Sequence, residues 1–376
     1  MALNYDSLSA LTRDKFLPVL VDNIFESNPL TLKLLKGAEK LDGGKKIITP
    51  IEYGKNSAQG FYSGYDVLDT TPSDPITAAE WNWKQAFSTI TISGEEELKN
   101  SGDSQVLSLL KSKMKNAEKS LKDLFGSKLF ANAAPGANEI TSLLGSGAAA
   151  GVDCEAIGTA SANLALIDSA EHDTTTWHAA GNIDNCIIGY DRSLGGINSD
   201  TYAWWDSHFA SGAYDGSTPP VGGQANAATF NEITATNNGV ALLVKKMTQM
   251  YGALTIDNDS PDMIVVPQVI FDAYETSLQP SKRFEGDATL ADAGFQTLKF
   301  KGATVVVDSH CPAGHMVFLN TKYLDFKVHS KRNFSFENFM KPINQDARVA
   351  KIFWMGQLVC TNPRMQGAIV GLPIGY

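Results

Sequence analysis

Two histidines and a thiol fall close together in Asp308-Ser-His310-Cys311-Pro-Ala-Gly-His315. Imidazole and thiolate both bind zinc, which takes four protein ligands in structural sites and three in catalytic ones. No second cluster in the chain supplies the missing ligands, and a turn between two buried strands explains Cys-Pro-Ala-Gly equally well. Asp257-Asn-Asp259-Ser-Pro-Asp262 gathers three carboxylates. It lacks the glycine and distal glutamate of a calcium-binding hand and reads as a turn before a strand. Gly145-Ser-Gly147-Ala-Ala-Ala-Gly151 has the glycines of a phosphate-cradling loop but no strand leading in and no Lys-Ser/Thr at its end. A flexible Ala/Gly loop is the simpler reading. The G-x-S-x-G nucleophile elbow is absent. For a chain of 376 residues, catalytic constellations are scarce. The expectation is a protein that is not an enzyme, with no metal and no cofactor.

The elements that would position any such groups belong to an ordinary globular chain, with 43% hydrophobic and 19% charged residues. That length can bury two domains, or one domain with excursions. No apolar run approaches the roughly 18 residues that a membrane helix needs. The N-terminus lacks a basic region followed by an apolar stretch, so export is not expected. Cys154, Cys186, Cys311 and Cys360 are far apart, which suits buried thiols rather than a disulfide framework. The net charge of −10 is unevenly spread. Residues 136–230 hold Arg192 as their one basic residue against eleven acids, so this acidic segment should repel nucleic acid.

Residues 7–36 read as two short helices interrupted by Pro18 and Pro29. Strands are expected at Lys45–Tyr53 and Trp81–Ser93, flanking a turn-rich stretch, 54–79, that nonetheless carries Phe61, Tyr62, Tyr65, Val67 and Leu68. This makes a long hairpin whose arms could reach about 40 Å. The run Leu107, Leu110, Met114, Ala117, Leu121 and Leu124 gives one apolar stripe, predicting a helix over 104–131. Its other faces carry Lys111, Lys113, Lys115, Lys119, Lys122 and Lys128 against Glu118 and Asp123. Two readings stand: a solvated helix face, or a mildly basic surface turned toward a polyanion. Glu95-Glu96-Glu97 reads as an exposed acidic turn, or as a partner for basic groups on another copy of the chain. Further on, helices are expected at Val240–Tyr251 and Val269–Leu278, and strands at Met263–Val266, Thr304–Val307, Met316–Leu319, Tyr323–Val328, Arg348–Cys360 and Gly367–Gly371.

Several strings, in this order, resemble the major capsid proteins of tailed bacteriophages, of the Hong Kong 97-like fold. They are Phe25-Glu-Ser-Asn-Pro-Leu30, Gly43-Gly44-Lys-Lys-Ile-Ile-Thr-Pro50, Ser93-Gly94-Glu-Glu-Glu-Leu98, and Gly195-Gly196-Ile197 with Trp204-Trp205. The closest-matching stretch runs from Pro261-Asp262 through Leu298-Lys-Phe-Lys-Gly302 and Cys311-Pro312-Ala313-Gly314 to Phe318-Leu319-Asn320. Gly356-Gln357 to Arg364 and Gly367–Gly371 resemble the last strand-turn-strand.

The resemblance implies an α+β fold with an N-terminal arm (1–44) and an extended-loop hairpin (45–93, tip 54–79). It further implies a peripheral domain with a long spine helix (94–135 and 326–359). The axial domain would be 136–325 and 360–376, with the acidic insertion at about 136–230. It makes Phe61, Tyr62, Tyr65, Val67 and Leu68 candidate intersubunit contacts, and Lys111, Lys115, Lys119 and Lys122 candidate genome-facing residues. The implied partners are the chain itself, in pentamers and hexamers of an icosahedral shell, a separate scaffolding protein, a portal protein, decoration proteins and packaged double-stranded DNA. The implied place is the virion capsid, assembled in the host bacterial cytoplasm. Some members form a lysine–asparagine crosslink assisted by a glutamate in the long C-terminal strand. Arg348–Gln357 contains no acid, so none is expected here. The alternatives are an encapsulin-like nanocompartment shell and, more remotely, a soluble metal-dependent hydrolase built on His310, Cys311 and His315.

Overall fold

The computed structural model describes residues 28–99, 109–131, 135–144, 186–188, 193–199, 201–211, 239–278, 297–342, 345–370 and 372. The first of the two expected N-terminal helices, the Gly145–Gly151 loop and most of the acidic segment lie outside these residues. The described residues fall into two compact units.

The larger unit is built on a six-stranded mixed sheet in the order Thr297–Phe300, Ala303–Val307, Met263–Val266, Met316–Leu319, Gly367–Val370, His208–Ser211. The two middle strands Met263–Val266 and Met316–Leu319 are buried at every position, which is why they read as unbroken apolar runs without alternation. Helices Gly239–Leu254 and Gln268–Leu278 cover the sheet. Leu243, Met247, Met250 and Leu254 form the buried stripe of the first, and Ile270, Phe271 and Tyr274 that of the second. The strand Thr297–Phe300 was not expected, although Leu298 and Phe300 point inward and Lys299 outward. It turns back through Lys301 and Gly302, both at positive φ (47° and 96°), the backbone a two-residue hairpin requires. Tyr251 and Tyr274 donate their hydroxyls to the carbonyls of Lys301 and Lys299 and sit edge-on to Phe300.

The same unit contains a second sheet region. Glu39–Leu41 runs parallel to Leu324–His329, which pairs antiparallel with Gly356–Cys360 of the long strand Ala347–Cys360. Phe125, Phe326 and Trp354 pack here as an aromatic cluster, with Phe125 and Trp354 ring centroids 4.6 Å apart. Pro29 opens the helix Pro29–Lys36 rather than interrupting one, because its missing N–H costs nothing in a first turn. The expected strand start at Tyr323 is instead a short 3-10 turn, Thr321–Tyr323, capped by the Asn320 side chain.

In the smaller unit, Ser335–Met340 pairs antiparallel with the first half of Ala347–Cys360. The sequence reading missed this strand, whose Ser-Phe-Glu-Asn-Phe-Met run shows no alternation and whose register shifts between Glu337 and Met340. In Lys84–Ser93, Ile90 is buried (2% exposed) while Phe87 is 65% exposed, so alternate residues face opposite sides. Glu95-Glu96-Glu97 is not a turn but part of the helix Gly94–Lys99. Ser93 and Glu96 form a reciprocal capping box: the Glu96 N–H donates to Ser93 Oγ (3.1 Å) and the Ser93 N–H to Glu96 Oε2 (3.3 Å). Lys113 closes on the same carboxylate at 2.7 Å, and together these bonds hold Glu96 below the usual carboxyl range. The Gly94 N–H donates to Asp346 O at 3.0 Å, tying the start of this helix to the strand pair.

Candidate functional site

The extended hairpin is a two-stranded antiparallel ribbon, Ile47–Glu52 against Ile76–Trp81, in register from Ile47↔Trp81 to Glu52↔Ile76. Its second strand starts earlier than expected, so the irregular part is 53–75 rather than 54–79. The expected strand Trp81–Ser93 is two strands, broken at Asn82 and Trp83. Trp81 is buried as the last rung of the ribbon, and Trp83 turns aside to donate its Nε1–H to Gly44 O (2.9 Å) and to meet the His329 ring edge-on.

Several polar groups of residues 53–75 bond to one another locally. Ser63 and Asp66 exchange bonds across a turn, Asn56 Oδ1 accepts from the Ala58 N–H and Ser73 Oγ–H, and Asp69 accepts from Thr71. Those Thr71 bonds hold the Asp69 carboxyl below its usual range. Phe61, Tyr62, Tyr65, Val67 and Leu68, in contrast, are all exposed. Ile48 and Ile76 on the ribbon are exposed too, and sequence reasoning missed them. The adjacent pair Ile47-Ile48 held the signal, since neighbours in a strand must point to opposite faces. Isolated exposed apolar residues are unremarkable, but a contiguous set on one projection marks an interaction surface.

The long helix is Leu109–Leu129. The side chain of Lys111 lies outside the described residues. Lys115 is exposed, Lys119 is half-buried, and Lys122 pairs with Glu118 at 3.0 Å. With Lys113 on Glu96 as well, part of the helix's positive charge is spent inside the chain.

The structure does not gather the residues of the zinc reading into one site. Cys311 is buried, with Sγ near the carbonyls of Val265 and His315. Burial, helped by the Asp308 carboxylate, pushes its thiol well up. His315 is buried with Nδ1 2.9 Å from Ala313 O, and burial lowers its pKa. His310 is engaged separately: Nδ1 lies 3.0 Å from Asn28 Oδ1, and Nε2 lies 3.1 Å from Asp123 Oδ1. Among the described residues, no three His, Cys, Asp or Glu side chains cluster as metal ligands. The Asp257–Asp262 stretch is a turn in which Asp259 accepts from Lys322 and Tyr323, and Asp262 from Lys33 and Thr321.

Asp308 is fully buried. Its Oδ1 accepts the His310 N–H (3.0 Å), while Oδ2 meets no partner among the described residues. Burial raises its carboxyl above the ordinary 3.8, outweighing the His310 bonds. A raised folded-state value means its contribution is fully present below about pH 4 and is lost as pH rises through that value. Urea melts from pH 4 to 7 should therefore show wild type losing stability relative to Asp308→Asn; parallel curves would refute this.

No family model and no curated protein matches the sequence. Solved structures do match in fold. A chain of the cyanophage A-1(L) capsid asymmetric unit aligns at 17% identity and a TM-score of 0.57, covering 97% of this chain and 98% of that one. The capsid of a native GTA particle aligns at 10% identity and 0.57, covering 98% and 99%. The holo-SrpI encapsulin complex from Synechococcus elongatus PCC 7942 aligns at 8% identity and 0.52, covering 100% and 98%. At such identities what is shared is the fold.

Proposed function

We propose that this chain, which has the α+β fold of phage capsid proteins, is the major capsid protein of a tailed phage. It is a structural, non-enzymatic subunit that assembles with its own copies, as pentamers and hexamers, into an icosahedral shell around double-stranded DNA. One observation carries this reading: a fold like that of the cyanophage and GTA capsid chains bears, at its hairpin, a loop with five exposed apolar side chains. Such side chains gain most when a neighbouring copy covers them.

In this reading the domain boundaries are those of the resemblance, with the loop of Phe61, Tyr62, Tyr65, Val67 and Leu68 lying across a neighbour. The face carrying Lys111, Lys115, Lys119 and Lys122 turns toward the genome, where lysines favour polyanion without sequence preference. The acidic 136–230 segment turns away from it. A scaffolding protein, a portal protein and decoration proteins complete the particle, which assembles in the host cytoplasm and ends as the virion capsid.

The encapsulin likeness favours a second reading, a nanocompartment shell. Size-exclusion chromatography with electron microscopy separates these possibilities. The expected result is pentamers, hexamers or closed particles, with nuclease-protected DNA in particles from producing cells. Particles holding a cargo enzyme and no genome would establish the second reading, and a monomer at every concentration would defeat both.

A further inference from the structure

A two-stranded ribbon has no sheet around it to fix its direction, and alone it is marginal. The loop beyond it spans up to about 35 Å, so a swing of 10° at the root moves the tip by roughly 6 Å. Something must hold the root.

Residues 193–199 and 201–211 meet that need. Ser193–Leu194 and Ile197–Asn198 form a small hairpin about Gly195 and Gly196, both at positive φ (62° and 80°). The turn sits directly on the ribbon: a Cβ on Gly195 would lie 2.9 Å from Ala79 Cβ and 3.1 Å from the Trp81 ring. Gly195 O accepts the Glu80 N–H at 2.8 Å. Trp205, buried, donates Nε1–H to Leu194 O, tying the turn Ala203–Trp205 to this hairpin. Its neighbour Trp204 stacks on Tyr53, with centroids 5.0 Å apart and planes within 16°. Tyr53 is itself the ribbon's outermost fastening, its N–H on Pro75 O and its hydroxyl on Asp74 O. The other end of the segment, His208–Ser211, is the edge strand of the six-stranded sheet, parallel to Gly367–Val370.

We propose that residues 193–199 and 201–211 are a strut that aims the loop, gripping the second strand of the ribbon and the residue that follows the first from the six-stranded sheet, with Trp204 a positioning residue acting through Tyr53. The proposal rests on the loop being a contact between copies.

The test compares Trp204→Ala and Tyr53→Ala with Trp204→Phe and Tyr53→Phe. Amide exchange at Glu80 in unassembled subunits reports the strut directly, and the assembly rate at fixed concentration reports its consequence. Both alanine variants should melt like wild type, exchange faster at Glu80 and assemble about tenfold more slowly, the scale of one aromatic pair. The phenylalanine variants should behave as wild type in both. Tyr53 lies on the exposed end of the ribbon, so its pair of variants decides the matter if Trp204→Ala unfolds the chain. Unchanged exchange, or faster exchange with undiminished assembly, overturns the strut. Failure of wild type itself to assemble counts against the shell reading, and Glu80 exchange then judges the strut alone.

Discussion

Deletion of residues 57–72 is expected to leave a folded subunit that no longer forms stable shells. The deletion joins Asn56 to Ser73, whose side chains already meet at 3.1 Å, and it leaves the Tyr53–Pro75 rung intact. The removed polar groups bond chiefly among themselves, so the body loses little. The loss falls on association. Burying a large apolar side chain contributes about 1.5–3 kcal/mol, so five of them represent on the order of 10 kcal/mol per contact. Ordering two copies costs an estimated 4–15 kcal/mol, so the loop decides whether a contact forms at all. Circular dichroism should give a near-native melt, and electron microscopy should show no closed particles. Normal particles from the deleted chain would remove the loop from any role in assembly.

The second large effect lies in the aromatic cluster. Trp354 is 1% exposed, 4.6 Å from the Phe125 ring and perpendicular to Phe326, and beside it a Cβ on Gly356 would meet the same ring at 2.8 Å. Trp354→Ala should cost about 3–5 kcal/mol, as truncations of buried aromatics do. Against a total stability of about 5–15 kcal/mol, that shows as a large fall in the denaturant midpoint. Trp354→Phe should cost far less. The indole Nε1–H is buried and meets no acceptor among the described residues, so removing it offsets part of the lost packing. Equal losses for the two variants would show that a phenyl ring does not fill the site and that the full indole is required.

The long helix shows how far the residues alone can be read. Its stripe predicts the inward face correctly through Ala117 and Leu121, both buried. It then places Leu124 inward, whereas Leu124 is exposed and Phe125 takes its place. A 3-4-3-4 pattern repeats every 3.5 residues while a straight helix turns every 3.6, so the stripe drifts by about 20° every seven residues and falls behind the buried face toward the helix end. The break at Asn82–Trp83 was hidden for a different reason. Both flanking runs favour strand, and what separates them is a change of pairing partner that is nonlocal in sequence. The exposed loop residues were legible because Phe61, Tyr62 and Tyr65 stand among turn-forming residues, an arrangement with no local core to enter. The strut was not. Gly195-Gly196 marks a turn in sequence, but that it seats on Ala79 and Trp81 depends on chain more than a hundred residues earlier.

The loop's local hydrogen bonding has a consequence for how a ring of subunits would behave. Because residues 57–72 are held through the ribbon rather than woven into the body, each copy in the proposed shell would carry its contact segment on an aimed arm. In a closed ring every subunit would offer one arm and receive another. Once one side is engaged, the other meets its target at an effective concentration in the millimolar range, far above any free concentration in solution. Early rings should then grow slowly and close abruptly, showing a sharp threshold in total protein. A subunit already seated would have to release both neighbours together before it could leave.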